Sequence, residues 1–309
     1  MGKKRVGAVA LLMVLITAAA AVITLFTGTV RPRNSGETRI VASFYPVYIA
    51  ALNLTDGVDG AALECLVGPR TGCLHDYQMA PDDMVALEGA DILLLNGAGA
   101  ESFLDAALRQ FPDLVTVDAS LGIDLLEGHS HHEGSHEHEH EEAVNEHYWV
   151  SPSRYAVMVE NLRDGLCAAD PDRAEAYRAN AAAYLEKIRA MEAQLQEASA
   201  ALSFRDCITF HDSVVYLADD LGLTVAASLS IGEESGIAAS EAAEAQEAAA
   251  RAGRVWLLYD GQYPVEYAYV GDRAEESRTV VLNTAVIGSE TKDSWLSAME
   301  ENLSQLRDL

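Results

Sequence analysis

DPDRAEAYRANAAAYLEKIRAMEAQLQEASAAL, residues 170–202, decides how the rest of the chain is arranged. After Pro171 it contains no Gly or Pro, and Tyr177, Tyr184, Ile188, Met191, Leu195 and Leu202 recur at spacings of three, four and seven. That spacing lays one apolar stripe along a helix. Asp170 is a good N-cap residue, and Pro171 suits the first helical position. At about 1.5 Å per residue the helix is expected to be roughly 45–50 Å long. Such a rod spans two lobes rather than sitting inside one. A coiled coil fits less well, because the stripe is short and rich in Ala.

Outward from this helix, apolar runs alternate with helical patterns on both sides. On the N-terminal side Arg39–Phe44, Ala61–Val67, Asp91–Leu95 and Leu114–Val117 read as strands. Tyr48–Leu54, Pro81–Glu88 and Glu101–Arg109 read as helices between them, with another from Ser153 to Cys167. On the C-terminal side Cys207–Phe210, Leu223–Ala227, Arg254–Tyr259 and Val280–Leu282 read as strands, and Ser213–Leu221, Ala238–Ala252 and Asp293–Leu306 as helices. The alternation implies parallel βαβ units. The expected fold is therefore α/β, with two (β/α) lobes built on parallel sheets and joined by a long helix. The divisions are 1–34 as signal peptide or N-terminal membrane anchor, 35–169 as N-terminal lobe with a His/Glu-rich loop at 127–146, 170–203 as linking helix, and 204–309 as C-terminal lobe.

The N-terminus carries Lys3, Lys4 and Arg5, then an uncharged run from Val6 to Thr29, closed by Arg31 and Arg33. This is the shape of an export signal, and it is also long enough to span a bilayer as an uncleaved anchor. Ala18–Ala21 offer small residues for cleavage, although the hydrophobic run continues past them. Residues from about 35 onward are thus expected outside the cytoplasmic membrane: membrane-anchored at the cell surface, or periplasmic or secreted if the signal is removed. The 309-residue chain is half hydrophobic, enough for a sizeable core, and its formal net charge of −27 argues against nucleic acid as a partner. Such acidity suits solubility and the attraction of cations, and much of it is simply a solvated surface. Exported chains tend to pair cysteines. Cys65, Cys73, Cys167 and Cys207 allow three pairings, and the first two are close enough to staple a loop. No C-x-x-C motif occurs, so the cysteines read as structural rather than metal-binding.

The nine histidines fall into two sets. His129, His131, His132, His136, His138 and His140 are interleaved with Glu, Ser and Gly in a segment with no apolar residue to fold around. Such a segment chelates zinc weakly in many geometries, the alternative being a solvated acidic loop. His75, His147 and His211 stand apart. His211 directly follows the strand CITF, His75 lies in the loop GPRTGCLHDY, and His147 ends the long insertion. Open α/β sheets bind ligands beyond the carboxyl ends of their strands, so two histidines from the first lobe and one from the second are expected to meet in the cleft. Three imidazoles suit zinc and leave a fourth tetrahedral position for water or a carboxylate. Taken singly, each is better explained as an ordinary satisfied histidine.

GPRTGCLHDYQMAPDD (68–83), NEHYWVSPSRYAVMVENLRDGL (145–166) and ITFHDSVVYLADDLGL (208–223) resemble the three metal-ligand segments of the zinc/manganese solute-binding proteins of ABC transporters, the cluster A-I family. ADILLLNGAGAESFLD (90–105), EES (233–235) and RVWLLYDGQYP (254–264) are similar to further segments of that family, in the same order. The resemblance implies a rigid linking helix and carries His75, His147 and His211 over as metal ligands. A histidine at the third position marks the zinc type, where manganese binders tend to have Glu, and nitrogen ligands favour Zn2+ over Mn2+ on physical grounds as well. Zinc-type members often carry a His-rich loop where 129–140 lies. Two departures stand out. Pro264 stands about where manganese-type members offer an Asp, so the fourth ligand is left to Asp260, water or a carboxylate from elsewhere. The lipid-anchoring Cys is absent. The implied function is an extracytoplasmic zinc-binding protein, monomeric and not an enzyme, that delivers the ion to an ABC permease and meets the membrane through its N-terminal segment. Two alternatives are a zinc hydrolase on the same three histidines, which lacks an H-E-x-x-H motif, and a metal buffer or surface adhesin.

Overall fold

The long helix forms, but three residues later than its sequence pattern begins. In the computed structural model, which describes residues 36–68, 74, 77–128, 144–229 and 236–307, Pro171–Arg173 make a 3-10 turn, and the α-helix runs over Ala174–Ala201. At 28 residues it is about 42 Å long. Tyr177, Ala181, Tyr184, Ile188, Met191 and Leu195 form its buried stripe, as the spacing predicts. Asp170 does not cap it. Its carboxylate instead accepts from Arg173 at 3.1 Å and from the Tyr177 hydroxyl at 2.9 Å. Arg173 also donates to the carbonyls of Gly36 and Asp59, which ties the helix start to the edge of the first sheet.

Before this helix come β1 (Thr38–Ala42), α1 (Tyr45–Leu54), β2 (Ala61–Cys65), α2 (Pro81–Gly89), β3 (Ile92–Leu95), α3 (Asp105–Leu108), β4 (Val115–Asp118) and α4 (Pro152–Ala169); the long helix is α5. After it come β5 (Asp206–Thr209), α6 (Val215–Asp220), β6 (Thr224–Ser228), α7 (Ala239–Ala252), β7 (Arg254–Asp260), β8 (Glu276–Leu282) and α8 (Ser294–Arg307). Every strand pair is parallel, in the orders β2-β1-β3-β4 and β6-β5-β7-β8. Both lobes repeat one topology, and in each the chain reverses direction across the sheet between its two central strands.

Differences from the sequence reading have local causes. β8 is seven residues long rather than three, pairing along all of β7. Its first half, Glu276–Thr279, is polar because it is an edge strand, and Glu276 meets Arg254 and Arg278 there. The helix expected over Glu101–Arg109 breaks into a 3-10 turn at Ser102–Leu104 and the four-residue α3. Pro112 follows closely and disfavours helical backbone at Phe111. α1 begins at Tyr45, ahead of the expected Tyr48, since Pro46 is acceptable in a first helical turn.

The lobes share one core. α8 leaves the second sheet and packs on α5. Trp295 of α8 stacks on Tyr155 of α4, with centroids 4.1 Å apart and planes 9° from parallel. Its indole N–H donates to the Trp149 carbonyl, and the Trp149 indole donates to the Thr284 carbonyl, both at 2.9 Å. Tyr45 and Asn53 of α1 donate to the carbonyls of Ser289 and Lys292. A buried aromatic seam therefore holds the lobes at a set distance.

Residues 1–34 lie outside the described residues, and among the described ones no helix is long and apolar enough to cross a membrane. Cys65, Cys167 and Cys207 are free thiols, and Cys73 lies outside the described residues.

Candidate metal centre

Both switch points carry a polar network. At the first, the ends of β1 and β3 are joined by Glu101. Its carboxylate accepts from the Ser43 hydroxyl at 2.6 Å, the Asn96 N–H at 2.7 Å and the Gly97 N–H at 3.1 Å. Burial raises the Glu101 carboxyl from 4.5 to about 7, against the lowering effect of those three bonds. Gly97 has φ +78°, and a Cβ there would fall 1.9 Å from the Asp118 carboxylate, so only glycine fits this turn. Asn96 also donates to the Glu146 carbonyl and accepts from the Tyr148 hydroxyl, so the network reaches the residues flanking His147.

At the second switch point, His211 follows β5 and Asp260 ends β7. The structure brings His147 and His211 together from different lobes. Their rings are 5.3 Å apart, centroid to centroid, at 82°. They are 2 % and 5 % exposed. Two imidazoles bound to one tetrahedral zinc through bonds of about 2.0–2.1 Å have centroids about 5 Å apart. The pair therefore already has the spacing of two ligands on one ion. His75 lies outside the described residues, as do His129, His131, His132, His136, His138, His140 and residues 233–235.

Each imidazole is oriented through Nδ1. His147 Nδ1 lies 2.9 Å from Asn145 Oδ1, an oxygen that only accepts, so Nδ1 carries the hydrogen and Nε2 keeps a lone pair. The Asn145 amide is itself fixed, since its Nδ2 donates to the Asp212 carbonyl of the other lobe at 2.9 Å. The Tyr216 hydroxyl completes this crossing by donating to the Asn145 carbonyl at 2.5 Å and accepting from the Leu126 N–H.

For His211 the partner is Ser213. Its N–H and its hydroxyl lie 3.0 and 2.8 Å from His211 Nδ1. The hydroxyl donates to Asp260 Oδ2 at 2.6 Å, which links the carboxylate to the imidazole. The Ser213 N–H donates to Nδ1, so Nδ1 is the engaged nitrogen and Nε2 is the one turned away from Ser213. A ligating histidine held by a carboxylate through its second nitrogen is the usual support for a bound metal.

Asp260, one of the candidates for the fourth position alongside water and other carboxylates, is 1 % exposed. Its Oδ2 is 3.9 Å from His211 Nδ1, on the side of the ring opposite Nε2. Its oxygens also accept from the Gln262 N–H and Nε2 and from the Thr284 hydroxyl. Asn145, Ser213 and Tyr263 were not read as site residues in the sequence, although each lies within three residues of one that was. Tyr216 and Thr284 had no such signal.

The ends of the His-rich segment are held close to this centre. Glu127 and Val144 form an antiparallel bridge, and the Asn145 N–H donates to the Leu126 carbonyl at 2.9 Å. The insertion therefore leaves and re-enters the fold beside Asn145 and His147.

Residues 40–309 match the model of a protein family described as zinc-uptake complex component A, periplasmic. The zinc-binding lipoprotein AdcA of Streptococcus pneumoniae is 28% identical over 281 residues, which are 88% of this chain and 56% of that protein. The chain thus spans little more than half the length of the curated relative it matches. Among solved structures, the Zn(II)-bound ZnuA-like domain of the same S. pneumoniae protein superposes with a TM-score of 0.68 at 26% identity, covering 88% of this chain and 98% of that one. The solute-binding protein FpvC of Pseudomonas aeruginosa in complex with Mn2+ has a TM-score of 0.73 at 21% identity, covering 88% and 97%, and is a likeness of fold.

Proposed function

Because the chain belongs to the family of zinc-uptake complex component A, we propose that it is an extracytoplasmic zinc-binding protein that hands Zn2+ to an ABC permease. The observation that carries this reading is the meeting of His147 and His211, one from each lobe, buried and 5.3 Å apart. Both present Nε2 because both have Nδ1 engaged, by Asn145 and by the Ser213–Asp260 relay. His75 is the third ligand in this reading. Neutral nitrogen donors prefer zinc to manganese. Zinc is the cargo: it binds, is carried and is released, and no bond of a substrate is made or broken. The hydrolase alternative is less well supported, because Asp260 is committed to orienting His211 instead of facing a metal-bound water as a base. Residues 1–34 serve as signal or membrane anchor in this reading, and the protein acts as a monomer at the outer face of the membrane.

Competition titrations with Zn2+ and Mn2+ test it on the wild type, His211→Ala and His211→Glu. Removing a ligand should weaken zinc by roughly 100-fold or more, beyond the 10–100-fold typical of outer-shell residues. His211→Glu should narrow the preference for zinc over manganese without reversing it, since a carboxylate is the harder donor. Unchanged zinc affinity in His211→Ala would make this residue an ordinary buried histidine and end the interlobe reading.

A further inference from the structure

We propose that the Tyr263 hydroxyl is the fourth donor of the metal centre, an inference that rests on the zinc site proposed above. Tyr263 is placed by two features. The Asp260–Tyr263 turn, closed by the Tyr263 N–H on the Asp260 carbonyl at 3.1 Å, folds it back over the end of β7. Its ring then stacks on His211, with centroids 4.9 Å apart and planes at 28°. Side-by-side stacking sets the hydroxyl oxygen 3.4 Å from His211 Nε2, the ring nitrogen across from the one that Ser213 engages.

That distance is informative. Hydrogen bonds from a hydroxyl or N–H are shorter, with a mode of about 2.7–3.0 Å. Two donors bound to one tetrahedral zinc at about 2.0–2.1 Å are separated by about 3.3–3.4 Å. The Tyr263 oxygen and His211 Nε2 thus have the spacing of one edge of a zinc tetrahedron. His147 and Tyr263 thus both stand at coordination spacing from His211.

The other candidate on the same turn is poorly placed for this role. Asp260 accepts hydrogen bonds from Ser213, Gln262 and Thr284 while almost fully buried. Drawing it to a metal would strand those donors away from water, which is costly, and would dismantle the relay that orients His211. When the Tyr263 oxygen bonds to zinc, its proton passes to solvent and no electrons are exchanged. The resulting set of three nitrogens and one oxygen is within zinc's ordinary preference.

The test compares the full chain with Tyr263→Phe, which keeps the stacked ring and removes only the oxygen. Zinc affinity is measured by chelator competition, and the near-ultraviolet tyrosine absorption is followed as zinc is added. The wild type should show a tyrosine absorption change that saturates at one equivalent of zinc. Tyr263→Phe should lose that change and bind zinc more weakly by roughly 100-fold or more, beyond the outer-shell range, with an unaltered melting profile. A weaker site with no tyrosine change in the wild type would mean that the hydroxyl acts through a bound water, and direct coordination would be wrong. Equal affinity in the two proteins would remove Tyr263 from the site altogether. His147→Ala serves as the reference. If it abolishes tight zinc while Tyr263→Phe does nothing, only the tyrosine assignment fails. If His147→Ala also binds as the wild type does, the zinc site itself is misplaced.

Discussion

Glu101 shows how a single residue can set the conditions under which this fold is most stable. Its carboxyl is raised from 4.5 to about 7 by burial at the first switch point. A raised acid holds its proton more tightly in the native state than in the unfolded chain. Its contribution is therefore fully present below the unfolded value near 4.5 and is lost as pH rises through about 7. The shift corresponds to about 3 kcal/mol across that window. Urea unfolding of the wild type and Glu101→Gln at about pH 5 and about pH 8 reads this directly. The wild type should lose roughly 2–3 kcal/mol more than the variant between the two conditions. Parallel losses would show that Glu101 titrates alike in both states. Asn145 is a second residue of this kind. It uses one side chain to orient His147 and to hold the backbone beside His211, so the two lobes' ligands are referenced to each other.

At the scale of elements, α5 and α8 are what make two sheets one body. α5 buries a stripe that runs its full length, and α8 crosses from the second sheet to cover it. Trp295 is the keystone of that contact, 1 % exposed, stacked on Tyr155 and bonded to the Trp149 carbonyl. Replacing it with Ala removes a large buried ring and leaves that carbonyl without its donor. A loss of about 3–5 kcal/mol is expected in urea unfolding. A loss below about 1 kcal/mol would mean that α8 is peripheral. The same seam explains why the linking helix acts as a strut: its surroundings are packed side chains on both lobes, and close-packed interiors transmit displacement instead of absorbing it.

At the scale of the whole molecule, the His-rich insertion and the pair His147–His211 are separate parts of the chain, and the zinc reading gives them different roles. The bridge between Glu127 and Val144 joins the stems of that insertion, so the chain between them can be shortened to a turn without disturbing Asn145. Calorimetry on the protein with residues 129–142 removed should retain one tight zinc event and lose the weak ones. Disappearance of the tight event would place the principal site in the insertion.

Much of this protein was legible in its sequence because helices and strands write periods of 3.6 and 2 into neighbouring residues. The long helix and the alternation of strands and helices follow from such local patterns, and His211 stands out in sequence as the residue after one apolar run. Strand β8 was half hidden, since an edge strand has little apolar signal to show. The site's inner arrangement belongs to the folded molecule. Ser213 reaches Asp260 across 47 residues, Trp149 meets Thr284 across 135 and Trp295 across 146. No period records such pairs. They arise where parallel sheets bring the ends of separate strands together, and there the spacing of imidazoles, hydroxyl and carboxylate is set by packing.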